Sequence, residues 1–171
     1  MKTIIFILAL SLSTGYITAQ EVTLKKGMNN IDMVKGTYYK TDATLLNKYL
    51  GYWEHTTSGS VFKFKIFRKK TPVQGVYIDR LKAQYCFGKE CDVESINTSI
   101  LTSAENDTME NLDKGTLRFR FWDYTYEKFG VIEFKLIQKN KAYFKLRESY
   151  NPNNDIQGFS VPTEMILTRT K

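Results

Sequence analysis

Histidine is nearly missing from this chain, where His55 stands alone, and cysteine is limited to Cys86 and Cys91. Zinc takes four side-chain ligands, or three and a water, so this inventory excludes a metal centre of the Cys/His kind. A hydrolytic triad needs a nucleophile and an orienting acid converging on its base, and no nucleophile-elbow motif accompanies His55. The ten glycines are scattered at turns and form no phosphate-cradling loop. No apolar run approaches the roughly 20 residues that span a bilayer, so no transmembrane segment is expected. With neither the aromatic RNP signature nor a basic heptad region, nucleic acid is not an expected partner. No cofactor is implied, and the chain does not read as an enzyme.

What remains is a moderately apolar, aromatic-rich sequence. Of its 171 residues, 42% are hydrophobic, enough for one domain with a proper core. The aromatics are mainly 11 Phe and 11 Tyr, types that suit a pleated, half-buried surface. Residues 1–19 read as a signal peptide: Lys2 supplies the positive start, Ile4 to Leu12 the apolar stretch, and Ile17-Thr18-Ala19 the small-residue cleavage site. Cleavage near Ala19 leaves a secreted or periplasmic domain over 20–171. No Cys follows the cleavage site to carry a lipid. The formal net charge is +7, which favours solubility and attraction to anionic surfaces. In an oxidising compartment Cys86 and Cys91, with four residues between them, are expected to form a disulfide pinning a tight turn. So small a loop contributes roughly 2 kcal/mol.

Patterning divides the domain into a leader with a short helix (20–50) and a strand-rich body (51–171). Val22-Thr23-Leu24 and Thr37-Tyr38-Tyr39 are strand-like pieces, expected to pack across one end. Asp42 is an N-cap for a helical turn carrying Leu45, Leu46 and Tyr49, stopped by Gly51. Strands are then expected at Gly51 to Thr57 and Ser60 to Lys69, joined by the hairpin dipeptide Ser58-Gly59. Val76 to Phe87 follows, with a β-bulge inferred where alternation breaks at Asp79-Arg80. Cys91 to Leu101 makes the fourth strand. After a long acidic loop over 102–114 come Gly115 to Trp122, Gly130 to Gln138, Lys141 to Glu148 and Pro162 to Thr170. Eight strands with mostly short links predict an all-β, eight-stranded antiparallel up-and-down barrel, because closure removes two exposed edges.

The run Lys48-Tyr49-Leu50-Gly51-Tyr52-Trp53, a short helix followed by Gly-x-Trp, resembles the lipocalin and wider calycin signature. With Tyr38-Tyr39-Lys40, Phe62-Lys63-Phe64 and the stretch from Phe159 to Thr168, the chain is similar to a family of uncharacterised lipocalin-like exported bacterial proteins. The resemblance implies that Trp53 closes the barrel floor and that Arg169 is the cation on its face.

The inward apolar set includes Phe62, Phe64, Tyr85, Phe119, Phe121, Phe134 and Phe144. These residues either line a cavity for an apolar ligand or fill the interior as a core, with a pocket left at the open end. Ile66, Leu81, Leu117, Ile132, Leu146 and Met165 belong to the same face. Lys63, Lys65, Arg68, Lys69 and Lys70 form a basic cluster, which is either a solvated strand face or a contact for an anionic surface. Asp79 and Glu133 are candidates for a carboxylate pair, although Glu133, between Ile132 and Phe134, is expected to face solvent. The sequons at Asn97 and Asn106 matter only in a eukaryotic secretory pathway. The reading is a monomeric, non-enzymatic binder of a small hydrophobic or amphipathic ligand. Its alternative is a solid-cored envelope module that contacts protein, glycan or anionic membrane through loops or the basic face. A hydrolase using His55 and Asp79 is the third possibility.

Overall fold

A computed structural model describes residues 20–25, 28, 33–95, 99–101, 112–149 and 156–170. The expected signal peptide, both sequons and most of the acidic loop lie outside them. The described chain is all-β apart from one short helix and the helical residues Leu112 and Asp113. In order it runs β1 (Glu21–Thr23), β2 (Tyr38–Lys40), α1 (Ala43–Asn47), β3 (Gly51–Thr57), β4 (Ser60–Val73), β5 (Val76–Gly88), β6 (Ser99–Leu101), β7 (Thr116–Asp123), β8 (Lys128–Gln138), β9 (Lys141–Glu148) and β10 (Glu164–Arg169). The strands form one sheet in the order β1-β2-β5-β4-β3-β10-β9-β8-β7, with β6 pairing β5 beside this path.

This sheet corrects the expected closed, eight-stranded antiparallel barrel: it is an open, curled half-barrel, and it is mixed. Two local causes account for the difference. The leader does not lie across one end but enters the sheet, with β1 parallel to β2 and β2 parallel to β5 through Tyr38–Tyr77 and Tyr39–Ile78. The expected strand from Cys91 to Leu101 contracts to β6, because the polar stretch after Cys91 turns instead, with the Ser95 N–H donating to the Asp92 carbonyl at 3.3 Å. So short a strand pairs β5 at Ala83 to Tyr85 and forms no ladder with β7.

The expected bulge at Asp79-Arg80 is absent, since β4 and β5 stay in register from Val61–Gly88 to Val73–Val76. Alternation breaks there for another reason. The first half of β5 buries Val76 and Ile78 on the sheet's outer face, under Tyr39 and the apolar side chains of β1. The second half buries Leu81, Ala83 and Tyr85 on the inner face. Burial changes sides while the pleat runs on. The irregularity in pairing lies instead between Leu136 and Gln138 in β8.

Strict alternation builds the concave core. Phe62, Phe64 and Ile66 on β4, Leu117, Phe119 and Phe121 on β7, Ile132 and Phe134 on β8, and Ala142 and Phe144 on β9 are all buried. Each large side chain withdrawn from water contributes about 1.5–3 kcal/mol. The rings touch one another: Phe62 lies 5.0 Å from Phe144, and Phe64 lies 5.5 Å from Phe119 and 5.7 Å from Phe144. Ring centroids at these separations leave the middle of the curl occupied by side chains. Where β8 crosses this layer the chain needs Gly130, because a Cβ there would sit 2.7 Å from both Leu146 and Phe159 and 2.9 Å from the Arg147 carbonyl.

One end of the curl is sealed. Asp42 caps α1, its Oδ1 accepting the Thr44 N–H at 2.8 Å. The helix carries Leu46, followed by Tyr49, into the core. Trp53 is wholly buried, and its indole N–H donates to the Tyr49 carbonyl at 2.9 Å. The Arg169 guanidinium lies 5.6 Å from the Trp53 ring and donates to the carbonyls of Asn47 and Leu50. Tyr49 donates its hydroxyl to the Leu112 carbonyl at 2.7 Å.

This packing makes two outcomes measurable. Gly130→Ala should lower the unfolding free energy by roughly 1–3 kcal/mol, read by urea denaturation, since backbone and two side chains block the methyl. Burial, with the charge of Asp113 nearby, pushes the Tyr49 phenol up to about 12, and burial with the hydrogen bond to Asp79 does the same for Tyr38. Both folded values stand above the ordinary 10, so the fold holds the neutral phenols. Their contribution is complete below pH 10 and disappears as pH rises through about 12. Ultraviolet titration should show the Tyr38 and Tyr49 phenols ionising late and together with unfolding, and Tyr49→Phe should remove one late-ionising phenol.

Candidate functional site

Opposite the sealed end the curl stays open, and a cleft of about 580 Å³ lies there. One wall is the end of β5 with the loop closed by Cys86 and Cys91. The other is the β7–β8 turn, with Tyr124, Thr125 and Tyr126, together with Ser160 and Val161 ahead of β10. Tyr85 lines the cleft from below, its ring tilted against that of Phe121 with centroids 4.7 Å apart. Its hydroxyl donates to the Trp122 carbonyl at 3.1 Å, bridging from β5 to β7 where β6 falls short.

Each wall is fixed by ionised side chains. Asp123 and Lys128 are cross-strand partners at the root of the turn, and both are fully buried. The Asp123 carboxylate accepts the N–H groups of Thr125 at 2.9 Å, Tyr126 at 3.1 Å and Ser160 at 2.6 Å, plus the Ser160 hydroxyl at 2.8 Å. A carboxylate with four donors is satisfied without water, so the turn and the pre-β10 segment are tied through one side chain. Lys128 donates to the Ile156 carbonyl at 2.7 Å, pairs with Glu148 and lies 5.0 Å from the Phe159 ring. The second wall is thereby pinned from both sides of its hairpin.

On the first wall the Sγ atoms of Cys86 and Cys91 are 1.95 Å apart, at disulfide distance, with Cα atoms 5.6 Å apart. The loop then docks on the outer face of the sheet. Val93 is buried, and the Glu94 carboxylate accepts from Lys65 Nζ at 2.6 and 2.8 Å and from the Tyr52 hydroxyl. Hydrogen bonds from Lys65 and Tyr52 hold the Glu94 carboxyl below its ordinary range, and the same Glu94 contact raises Tyr52.

The seven residues expected to line a cavity separate into two groups. Phe62, Phe64, Phe119, Phe121, Phe134 and Phe144 lie in the packed core, and Tyr85 alone among them borders the cleft. Trp53 and Arg169 meet at the opposite, sealed end. His55 is occupied by a backbone carbonyl, its Nδ1 lying 3.0 Å from the Ile166 oxygen. Asp79 binds the Tyr38 hydroxyl at 2.5 Å and the Thr41 N–H at 3.1 Å, while Glu133 lies 3.9 Å from Arg147 on the outer face. These two carboxylates do not converge. The basic cluster is divided as well: Lys65 is taken by Glu94, Arg68 lies 3.9 Å from Asp79, and Lys70 sits over the rings of Tyr38 and Tyr77. Among the described residues no group of three or more His, Cys, Asp or Glu side chains is placed to hold a metal ion, and no helix is long and apolar enough to cross a membrane.

Asp123 and Lys128 carry no signal in the alternation pattern, which ends one strand at Trp122 and begins the next at Gly130. An Asp two residues before Thr125 is a recognisable turn-former. Nothing local marks Lys128 as buried.

A family model described as a family of unknown function, DUF6705, matches residues 1–95. No curated protein and no solved structure matches the chain.

Asp123→Ala leaves three N–H groups and the Ser160 hydroxyl without their shared acceptor. It should cost roughly 3–5 kcal/mol in denaturant unfolding, with faster amide exchange concentrated at 124–126 and 160. Asp123→Asn, which keeps an acceptor, should cost clearly less.

Proposed function

We propose, for a chain that belongs to the family of unknown function DUF6705, a role as an exported, lipocalin-like, non-enzymatic binding protein for a small amphipathic molecule held at the open mouth. The observation that carries this reading is the cleft of about 580 Å³ opposite the sealed end. Its volume falls in the range that takes small ligands. Its lining mixes aromatic faces (Tyr85, Tyr124, Tyr126) with hydroxyls (Thr125, Ser160). The lining is more polar than apolar, and aromatic rings set among such polar groups can bind and orient an amphipathic molecule. The walls are held by buried hydrogen bonds, so little ordering is left for the ligand to impose.

Export is supported by the Lys2 to Ala19 pattern and is compatible with the cysteine pair at disulfide distance. The floor of Trp53 under Arg169 supports the lipocalin-like comparison. Close packing of the core aromatics supports placing the ligand at the mouth rather than deep in the curl.

The test is uptake of an environment-sensitive hydrophobic dye by the purified mature protein, with native mass spectrometry for any copurifying molecule. Saturable uptake at one dye per chain is expected, weakened about tenfold by Tyr126→Ala, as truncation of an aromatic anchor does. Uptake unaffected by Tyr126→Ala, or no uptake at all, would overturn the mouth as a binding site. The second outcome favours a solid-cored module acting through its outer face, where Trp122 packs 4.4 Å from the exposed Phe129.

A further inference from the structure

We infer that the ligand of the mouth cleft is an organic cation, an alkyl or aryl amine or quaternary ammonium with a compact apolar body. The inference rests on the binding reading above and adds the charge of the ligand.

The chain carries 25 Lys and Arg against 18 Asp and Glu, so a surface patch drawn at random is basic. The cleft is the reverse. Among the described residues that line it, the charged side chains are Glu90 and Asp92. Four half-exposed carboxylates elsewhere do find cations: Glu21 pairs with Lys40, Glu94 with Lys65, Glu148 with Lys128 and Glu164 with Lys145. Glu90 and Asp92 have no ion-pair partner among the described residues. Asp92 accepts the Glu94 N–H on Oδ1 at 2.9 Å, which orients its carboxylate and leaves lone pairs for a ligand.

The opposite wall answers with aromatic faces. Tyr124 is 64% exposed, and Tyr126 follows it on the same turn. A cation is attracted to the negative face of an aromatic ring and to a carboxylate alike, whereas an anion is repelled by both. Because the cleft is open to solvent, an ammonium head can keep part of its hydration while its carbon body covers Tyr85 and Val161. A neutral molecule would use the rings and leave the two carboxylates unanswered.

The test uses three ligands that share one body: hexyltrimethylammonium, 1-hexanol and hexanoate, titrated calorimetrically into the full mature chain at low salt. The ammonium should bind at least about tenfold more tightly than the alcohol, with hexanoate weakest. In the double variant Glu90→Gln, Asp92→Asn the ammonium should fall to the affinity of the alcohol while the alcohol is unchanged. Both positions are exposed, and the side-chain amide oxygen that the second substitution introduces still accepts the Glu94 N–H, so the variant keeps its fold. Equal affinities for the three, or a preference for hexanoate, overturn the cation and leave the cleft as a binding site. A cation preference that survives the double variant overturns the assignment to Glu90 and Asp92. Failure of all three ligands together with the hydrophobic dye removes the binding reading itself.

Discussion

The mouth of this protein depends on one cross-strand pair, Asp123 opposite Lys128, whose ionised groups are both buried. Burying two charges is costly, and the cost is recovered only where hydrogen bonds satisfy each of them. Besides Thr125 and Tyr126 in the turn and Glu148 on β9, both charges find partners in one segment distant in sequence: Ser160 for Asp123, and Ile156 and Phe159 for Lys128. A β-hairpin root and the approach to the last strand therefore become one wall. The turn that carries Tyr124 and Tyr126 inherits its position from that wall.

The other structural decision lies in β5, which serves two layers. Its first half is covered on the outside by the leader strands, and its second half faces the aromatic core. Asp79, midway, faces inward beyond the reach of the core and is satisfied by Tyr38 and Thr41 of the leader. The leader is thus joined to the sheet by backbone pairing, by an apolar patch and by a buried carboxylate. This explains why an edge that antiparallel strands would otherwise extend is taken by a parallel strand.

Much of the strand layout was legible because period-2 alternation reports burial directly. The reading of β3 and β9 matches their observed bounds, and Ser58-Gly59 makes the hairpin turn expected of it, with positive φ at both residues. Alternation records only that one face is covered, never by what. It therefore misled at Asp79-Arg80, where the covering layer changes sides, and at Cys91 to Leu101, where apolar residues were too sparse to hold a strand. Closure was misjudged for a related reason: the far longer-range β3–β10 pairing forms, but closure also needs a ladder between β6 and β7, and no local pattern records whether two such strands meet. The cleft was legible only as an open end. Apart from Tyr85 on β5, which the sequence placed on the inward face, its tyrosines sit in a turn outside any alternating run, and its carboxylates belong to a loop read for its cysteines alone.

The ladder joining β3 to β10 registers only two residue pairs, Trp53–Arg169 and Glu54–Thr168. On one side of this seam stand the strands that lead to the cysteine loop, and on the other the hairpin that carries the tyrosine turn. Away from the seam the two halves are bridged by the packed core rings, such as Phe62 on Phe144 and Phe64 on Phe119, and near the mouth by the Tyr85–Trp122 hydrogen bond. A guest lying between the walls would act as a clasp on a hinged shell: whatever free energy it contributes is also resistance to the halves parting. Occupancy would then be stored as stiffness along a line of backbone that the guest never touches.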